Sequence, residues 1–260
     1  MARAFPLACL AALYVAGLGL AEAGSAVAGV EGGTEQQMAE ALVDHLDRLY
    51  RSTTSHALLR MTVQTPKWER TLRLEMWTEG MEKTLIRILE PARERGMATL
   101  RIGNQMWNYL PRTGRVLRIP PSMMMASWMG SDFTNDDLVR ETSLREDYEF
   151  TLGGVDSTYW YLDLRPKPEA PVVWGKITIA VRRDDRLPAW ERFYDEEGAA
   201  VREMRFSAPR DFGDRRIPAR IELLPLTKRG HLTLLEYESA EFDLPLDPLL
   251  FSLENLAWED

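Results

Sequence analysis

Between Ser55 and Phe242 the chain consists mostly of short segments in which apolar and polar residues tend to alternate. They run SHALLRMTVQT, RTLRLEMWTE, MEKTLIRILE, GMATLRIG, QMWNYLP and RVLRIP; after an interruption come YEFTLGG, TYWYLDLRP, GKITIAVRRD, LPAWERFYD, AVREMRFSAP, RIPARIELLP and HLTLLEYESAEF. Successive side chains on a strand point to opposite faces, so this pattern buries one face of a sheet and leaves the other to solvent. The gaps carry Gly, Pro or Asn, and YDEEGAA has the acids and glycine of a hairpin turn. No linker or low-complexity run divides the meander. The pattern therefore predicts one mainly β (α+β) domain with an antiparallel sheet and a few helices.

The residues ahead of the strands set the compartment. From Ala4 to Leu20 there is no charge; Arg3 precedes this run, and small-x-small sites follow at Ala21-Glu22-Ala23 and Ala26-Val27-Ala28. This is the pattern of a cleaved signal peptide over residues 1–28, and it places the mature domain, 29–260, in the periplasm. The run is short for a membrane span and contains Pro6, Gly17 and Gly19. The only cysteine, Cys9, lies inside it and lacks a lipoprotein signal, so the mature chain would hold no disulfide and rely on packing. Downstream, TEQQMAEALVDHLDRLYRS spaces Met38, Leu42, Leu46 and Leu49 as one helix face, with Thr34 as its expected N-cap. The formal charge of −8, unchanged by loss of Arg3 and Glu22, argues against nucleic acid and against a passive grip on anionic membranes.

Catalytic patterns are missing. The sequence has no G-x-S-x-G, no H-E-x-x-H and no phosphate-binding glycine loop. His45, His56 and His231 are scattered over a helix and two strands, which argues against a metal site. Asp184-Asp185 and Asp195-Glu196-Glu197 read as hairpin tips. Asp136 and Asp137 read as the first turn of a short helix in TNDDLVRE, capped by Thr134. These features predict a protein that is not an enzyme and needs no cofactor.

Bulky apolar side chains are abundant instead. Trp160, Trp174, Trp190 and Trp258 fit a large β core. The segment RIPPSMMMASWMGSDFTNDDLVRE is different, because it lacks strand periodicity and Pro120-Pro121 stops the preceding strand. Methionine is flexible and polarizable, suited to surfaces that accommodate variable apolar partners. The segment is either a movable cover over an apolar concavity or a permanent plug in the core, and periodicity does not separate the two.

Trp107-Asn108-Tyr109-Leu110-Pro111, Arg118-Ile119 and the block Ser127-Trp128-Met129-Gly130-Ser131-Asp132-Phe133, followed by Asp136-Asp137-Leu138, resemble the outer-membrane lipoprotein-sorting protein family, the LolA relatives. The resemblance implies an incomplete antiparallel β-barrel of about eleven strands, with an N-terminal helix and short lid helices over an apolar concave face. It further implies a monomeric carrier that receives lipoprotein acyl chains, or another envelope lipid, from an inner-membrane transporter and passes them to an outer-membrane acceptor. The candidate cavity or lid residues are Met76, Trp77, Trp107, Tyr109, Met123, Met124, Met125, Trp128, Met129 and Phe133. Arg101 and Arg118 are candidates, by position, for an arginine that latches the lid. Two alternatives are an envelope-stress module on the same scaffold that binds a membrane anti-sigma factor, and a lipid esterase.

Overall fold

The computed structural model describes residues 25–257 apart from Arg51, Asp136, residues 138–143 and Pro171, so most of the expected signal segment lies outside the described residues. Helix α1 spans Ser25–Arg48, and Thr34 is therefore interior to a helix rather than its cap. All of the alternating segments are strands. They are β1 (Thr54–Gln64), β2 (Glu69–Glu79), β3 (Lys83–Glu90), β4 (Ala98–Ile102), β5 (Gln105–Leu110) and β6 (Arg115–Arg118), then β7 (Tyr148–Val155), β8 (Tyr159–Pro166), β9 (Lys176–Arg182), β10 (Pro188–Tyr194), β11 (Ala200–Phe212), β12 (Arg215–Pro225) and β13 (Leu232–Phe242).

The strands form one antiparallel sheet of 13 strands, in the order β6-β5-β4-β3-β2-β1-β13-β12-β11-β10-β9-β8-β7. Two meanders, β1–β6 and β7–β13, are thus joined where β1 pairs with β13. The sheet is not closed: β6 and β7 are its outer strands. The count exceeds the expected eleven or so because every alternating segment, down to the four-residue β6, finds a hydrogen-bonding partner. Between the meanders, Pro120 ends the extended run and Pro121–Met123 make one 3-10 turn.

Period two sorts the side chains. On one face, Leu59, Met61 and Val63 of β1 pack with Leu72 and Leu74 of β2 and Ile217 and Ile221 of β12. On the same face, under α1, Ala39, Leu42 and Val43 pack with Leu162, Ile179 and Phe193 of β8 to β10. Most of these residues are fully buried, and a buried leucine or isoleucine contributes roughly 1.5–3 kcal/mol. On the opposite face, Leu85, Leu100 and Tyr109 are covered by Phe251 and Leu256 of the C-terminal turns Pro248–Phe251 and Leu253–Leu256. No described helix is long and apolar enough to cross a membrane.

Candidate functional site

The segment 120–135 folds onto the inner face as a small flap. Met129 and Gly130 both have positive φ (49° and 72°), which turns the chain back on itself so that Ser127 bridges Thr134. The Trp128 N–H donates to the Phe133 carbonyl (2.8 Å), and Asn135 donates from its backbone to Ala126 (3.0 Å) and from its side chain to Met123 (3.0 Å). The flap is also pinned from outside. The Trp128 indole N–H donates to Thr99 on β4 (3.1 Å), whose hydroxyl donates to Asn108 on β5 (2.7 Å). Asp132 exchanges hydrogen bonds with Thr233 on β13 (2.9 and 3.0 Å), and the Arg70 guanidinium donates to the Met129 carbonyl. Burying an indole without a partner for its N–H would be costly, so the Thr99 contact explains why Trp128 can sit almost fully buried.

Thr134 caps the turn that follows. Its hydroxyl accepts the Asp137 N–H (3.1 Å), and the Asp137 carboxylate accepts both the Thr134 N–H (2.7 Å) and its hydroxyl (2.9 Å). This is a reciprocal capping box. The same carboxylate takes a two-pronged bond from Arg202 on β11, at 2.8 Å on each side. The flap is therefore tied to the sheet through Arg70 and Arg202. Arg101 instead donates to the Gly103 and Met81 carbonyls (3.0 and 2.5 Å) and is buried away from the flap, while Arg118 is exposed on β6. Neither arginine chosen by position is the tie.

Beneath the flap and α1 lies a cavity of about 310 Å³. Its walls are mostly apolar: Met76, Met81, Met204, Phe206, Trp174 and Tyr237 are among them. Of the ten residues expected at a cavity or lid, Met76, Trp128 and Phe133 line it. Met124 and Met129 pack, half-buried, against the inner-face cluster, and Met123 and Met125 are exposed (48% and 53%). Trp77, Trp107 and Tyr109 lie on the other face of the sheet. The reason is strand geometry: Met76 and Met106 point inward, so their neighbours Trp77 and Trp107 must point outward. There Trp77 stacks on His56 with ring centroids 5.2 Å apart. The methionines at the cavity wall thus come from β1, β2, β11 and the β2–β3 turn, not from the triple in the flap.

Several wall residues carried no motif. Trp174, expected in the core, stands at the cavity with the Arg202 guanidinium 4.2 Å from its ring centroid; the Phe193 ring lies 4.1 Å away on the same cation. Glu191 on β10 also faces the cavity, and among the described residues its carboxyl has no hydrogen-bond partner. Burial pushes its pKa up to about 7 against the opposing pull of Arg202. Its side chain is half-buried at the cavity wall. Burial likewise raises the Tyr50 phenol well above its usual range; its hydroxyl donates to the Pro218 carbonyl (3.1 Å). The available signal for Glu191 and Arg202 was polarity at inward positions of alternating strands, since each sits two residues from an inward Phe193 or Met204.

A family model described only as "Uncharacterized protein"-like matches residues 80–258. No curated protein matches the chain. Among solved structures, a DUF1329 family protein from Desulfovibrio piger superposes with a TM-score of 0.76 at 22% identity, over 85% of this chain and 99% of that one. A LolA superfamily protein from Nitrosomonas europaea gives 0.69 at 22% identity, over 84% and 98%. A protein domain assigned to outer-membrane lipoprotein sorting, from Vibrio parahaemolyticus, gives 0.72 at 20% identity, over 85% and 99%. At these identities the likeness is one of fold.

Proposed function

The chain belongs to the family whose model spans residues 80–258 and has the fold of LolA-type lipoprotein-sorting proteins; from that premise we propose that it is a periplasmic carrier of acyl chains. In this reading residues 1–28 are a cleaved signal peptide and the rest is one carrier domain. The domain takes lipoprotein acyl chains or another envelope lipid from an inner-membrane transporter and passes them to an outer-membrane acceptor. It has no catalytic step.

The observation that carries the reading is the methionine-lined apolar cavity. Its volume stands at the lower end of the roughly 300–1,000 Å³ usual for small-molecule sites. That suits one chain, and the flexible thioethers of Met76, Met81 and Met204 give the wall room to adjust. Each buried methylene contributes about 0.8 kcal/mol, so a chain of roughly fifteen supplies on the order of 12 kcal/mol when fully enclosed. Release then requires an offset, which collapse of the flexible wall into the emptied space provides in part.

The test is mass spectrometry of lipids carried by protein purified from its native envelope, paired with an assay of ester hydrolysis. Acyl lipids at near-stoichiometric amounts without turnover are expected. Protein that is empty and also fails to bind a fluorescent fatty-acyl probe would remove the carrier reading, and hydrolysis abolished by a single serine or aspartate substitution would replace it with an esterase.

A further inference from the structure

A cavity meant only for hydrocarbon has no use for an unpartnered carboxyl, yet Glu191 presents one. It sits on β10 opposite Ile179 of β9 and Met204 of β11, on the same face as Phe193. The charged and titratable groups that share its cavity are Arg202 from β11, Asp137 after the flap, Asp47 from α1 and the phenols of Tyr50, Tyr148 on β7 and Tyr237 on β13. Arg202, Asp137, Asp47 and Tyr50 are all committed to other partners. Both terminal nitrogens of Arg202 are held by Asp137, and the faces of its guanidinium are covered by Trp174 and Phe193. Asp47 accepts the backbone N–H groups of Leu144 (2.9 Å) and Arg145 (3.3 Å). The Tyr50 hydroxyl is turned to Pro218.

The pair Arg202–Asp137 is neutral as a unit, so ionised Glu191 adds a negative charge to the cavity wall. An anionic head group would meet the Glu191 carboxylate, and the one Arg202 nitrogen left without a partner, Nε, is buried out of its reach. A head group with N–H donors would meet an open acceptor, and a charge-assisted bond in a dry site is stronger than a neutral one.

We propose that Glu191 is the polar anchor of the cavity and selects an acyl or alkyl amphiphile whose head bears a primary ammonium group. The inference rests on the carrier reading and adds to it a choice of head chemistry. Ammonium binding stabilises the ionised carboxyl, so affinity for such a ligand rises as Glu191 loses its proton. An aliphatic amine itself titrates near 10.4 and stays charged throughout the useful range. Burial sets the Glu191 carboxyl at about 7, which puts the change between pH 5.5 and 8.

Calorimetric titration with dodecylamine, dodecanol and dodecanoic acid, each below its micellar concentration, tests the idea on the parent and on Glu191→Gln. At pH 8 the amine should bind the parent at least tenfold tighter than the acid, and that preference should shrink about tenfold at pH 5.5. In Glu191→Gln the amine preference and its pH dependence should both vanish while dodecanol binding persists; the persisting alcohol shows that the variant is folded. Equal binding of all three probes by the parent, or an amine preference that survives in Glu191→Gln, overturns the proposal and leaves the carrier intact. Binding of none of them overturns both.

Discussion

Glu191 couples the stability of the empty protein to pH in a calculable direction. Its carboxyl moves from 4.5 to about 7 on folding, so between those values the folded state holds a proton that the unfolded state has released. Stability is therefore highest, as far as this group goes, below 4.5 and is lost as pH rises through 7. At about 1.4 kcal/mol for each tenfold change in proton affinity, the loss is roughly 3 kcal/mol. Urea unfolding of Glu191→Gln should show it relative to the parent: the variant gains about that much between pH 4.5 and 8, and parallel curves would place the carboxyl in water. Such a residue was hard to find in the sequence, because a glutamate in an alternating strand reads as solvent-facing until the register of β10 is known. The same blindness misplaced Trp77 and Trp107. Adjacent Met76-Trp77 and Met106-Trp107 are equally apolar, and nothing local says which member of each pair faces inward. Only the packing of Phe251 and Leu256 on the other side decides it.

Elements were more legible than faces. Each strand was visible from alternation and its bounding turns, and Thr134 was recognisable as a cap from its place ahead of two acids. The start of α1 was not, since Thr34 resembles a cap while the helical backbone spans Ser25–Arg48. The flap was singled out by its methionines, whereas the structure holds it by polar groups: the Trp128 indole, the Asp132–Thr233 pair, Arg70 and the Asp137–Arg202 ion pair. The last of these is almost buried on both sides (10% and 13%), so removing one partner strands the other charge. Asp137→Ala should cost about 3–5 kcal/mol in urea unfolding and speed amide exchange across residues 126–135, with the capping box lost at the same time. Pairing it with Arg202→Met should recover much of that stability without restoring the slow exchange. A single variant with unchanged exchange would show that the flap is held without Asp137.

For the protein entire, a ligand held in the cavity would make binding and unfolding one linked equilibrium. An amphiphile enclosed by both meanders is released whenever the sheet opens, so it binds the folded chain alone. At a hundredfold excess over its Kd such a ligand adds about 2.7 kcal/mol, which for a domain of this size raises Tm by roughly 5–10 °C. Dodecanol binding detected by calorimetry with no rise in Tm would put the ligand somewhere other than the cavity. Thirteen strands in an unclosed sheet raise another matter, because each outer strand offers unpaired N–H and C=O groups to any chain that comes near. The two rims are guarded differently. β6 is four residues long, exposed at each position, and bounded by Arg115 and Arg118, so a second copy approaching it brings like charges together. β7 is broken by a bulge between Leu152 and Gly154, which spoils the straight ladder that a template requires. A sheet with two open rims thus carries a deterrent to edge-to-edge polymerisation at each end, and the colloidal persistence of the folded chain is owed to those two short stretches of backbone.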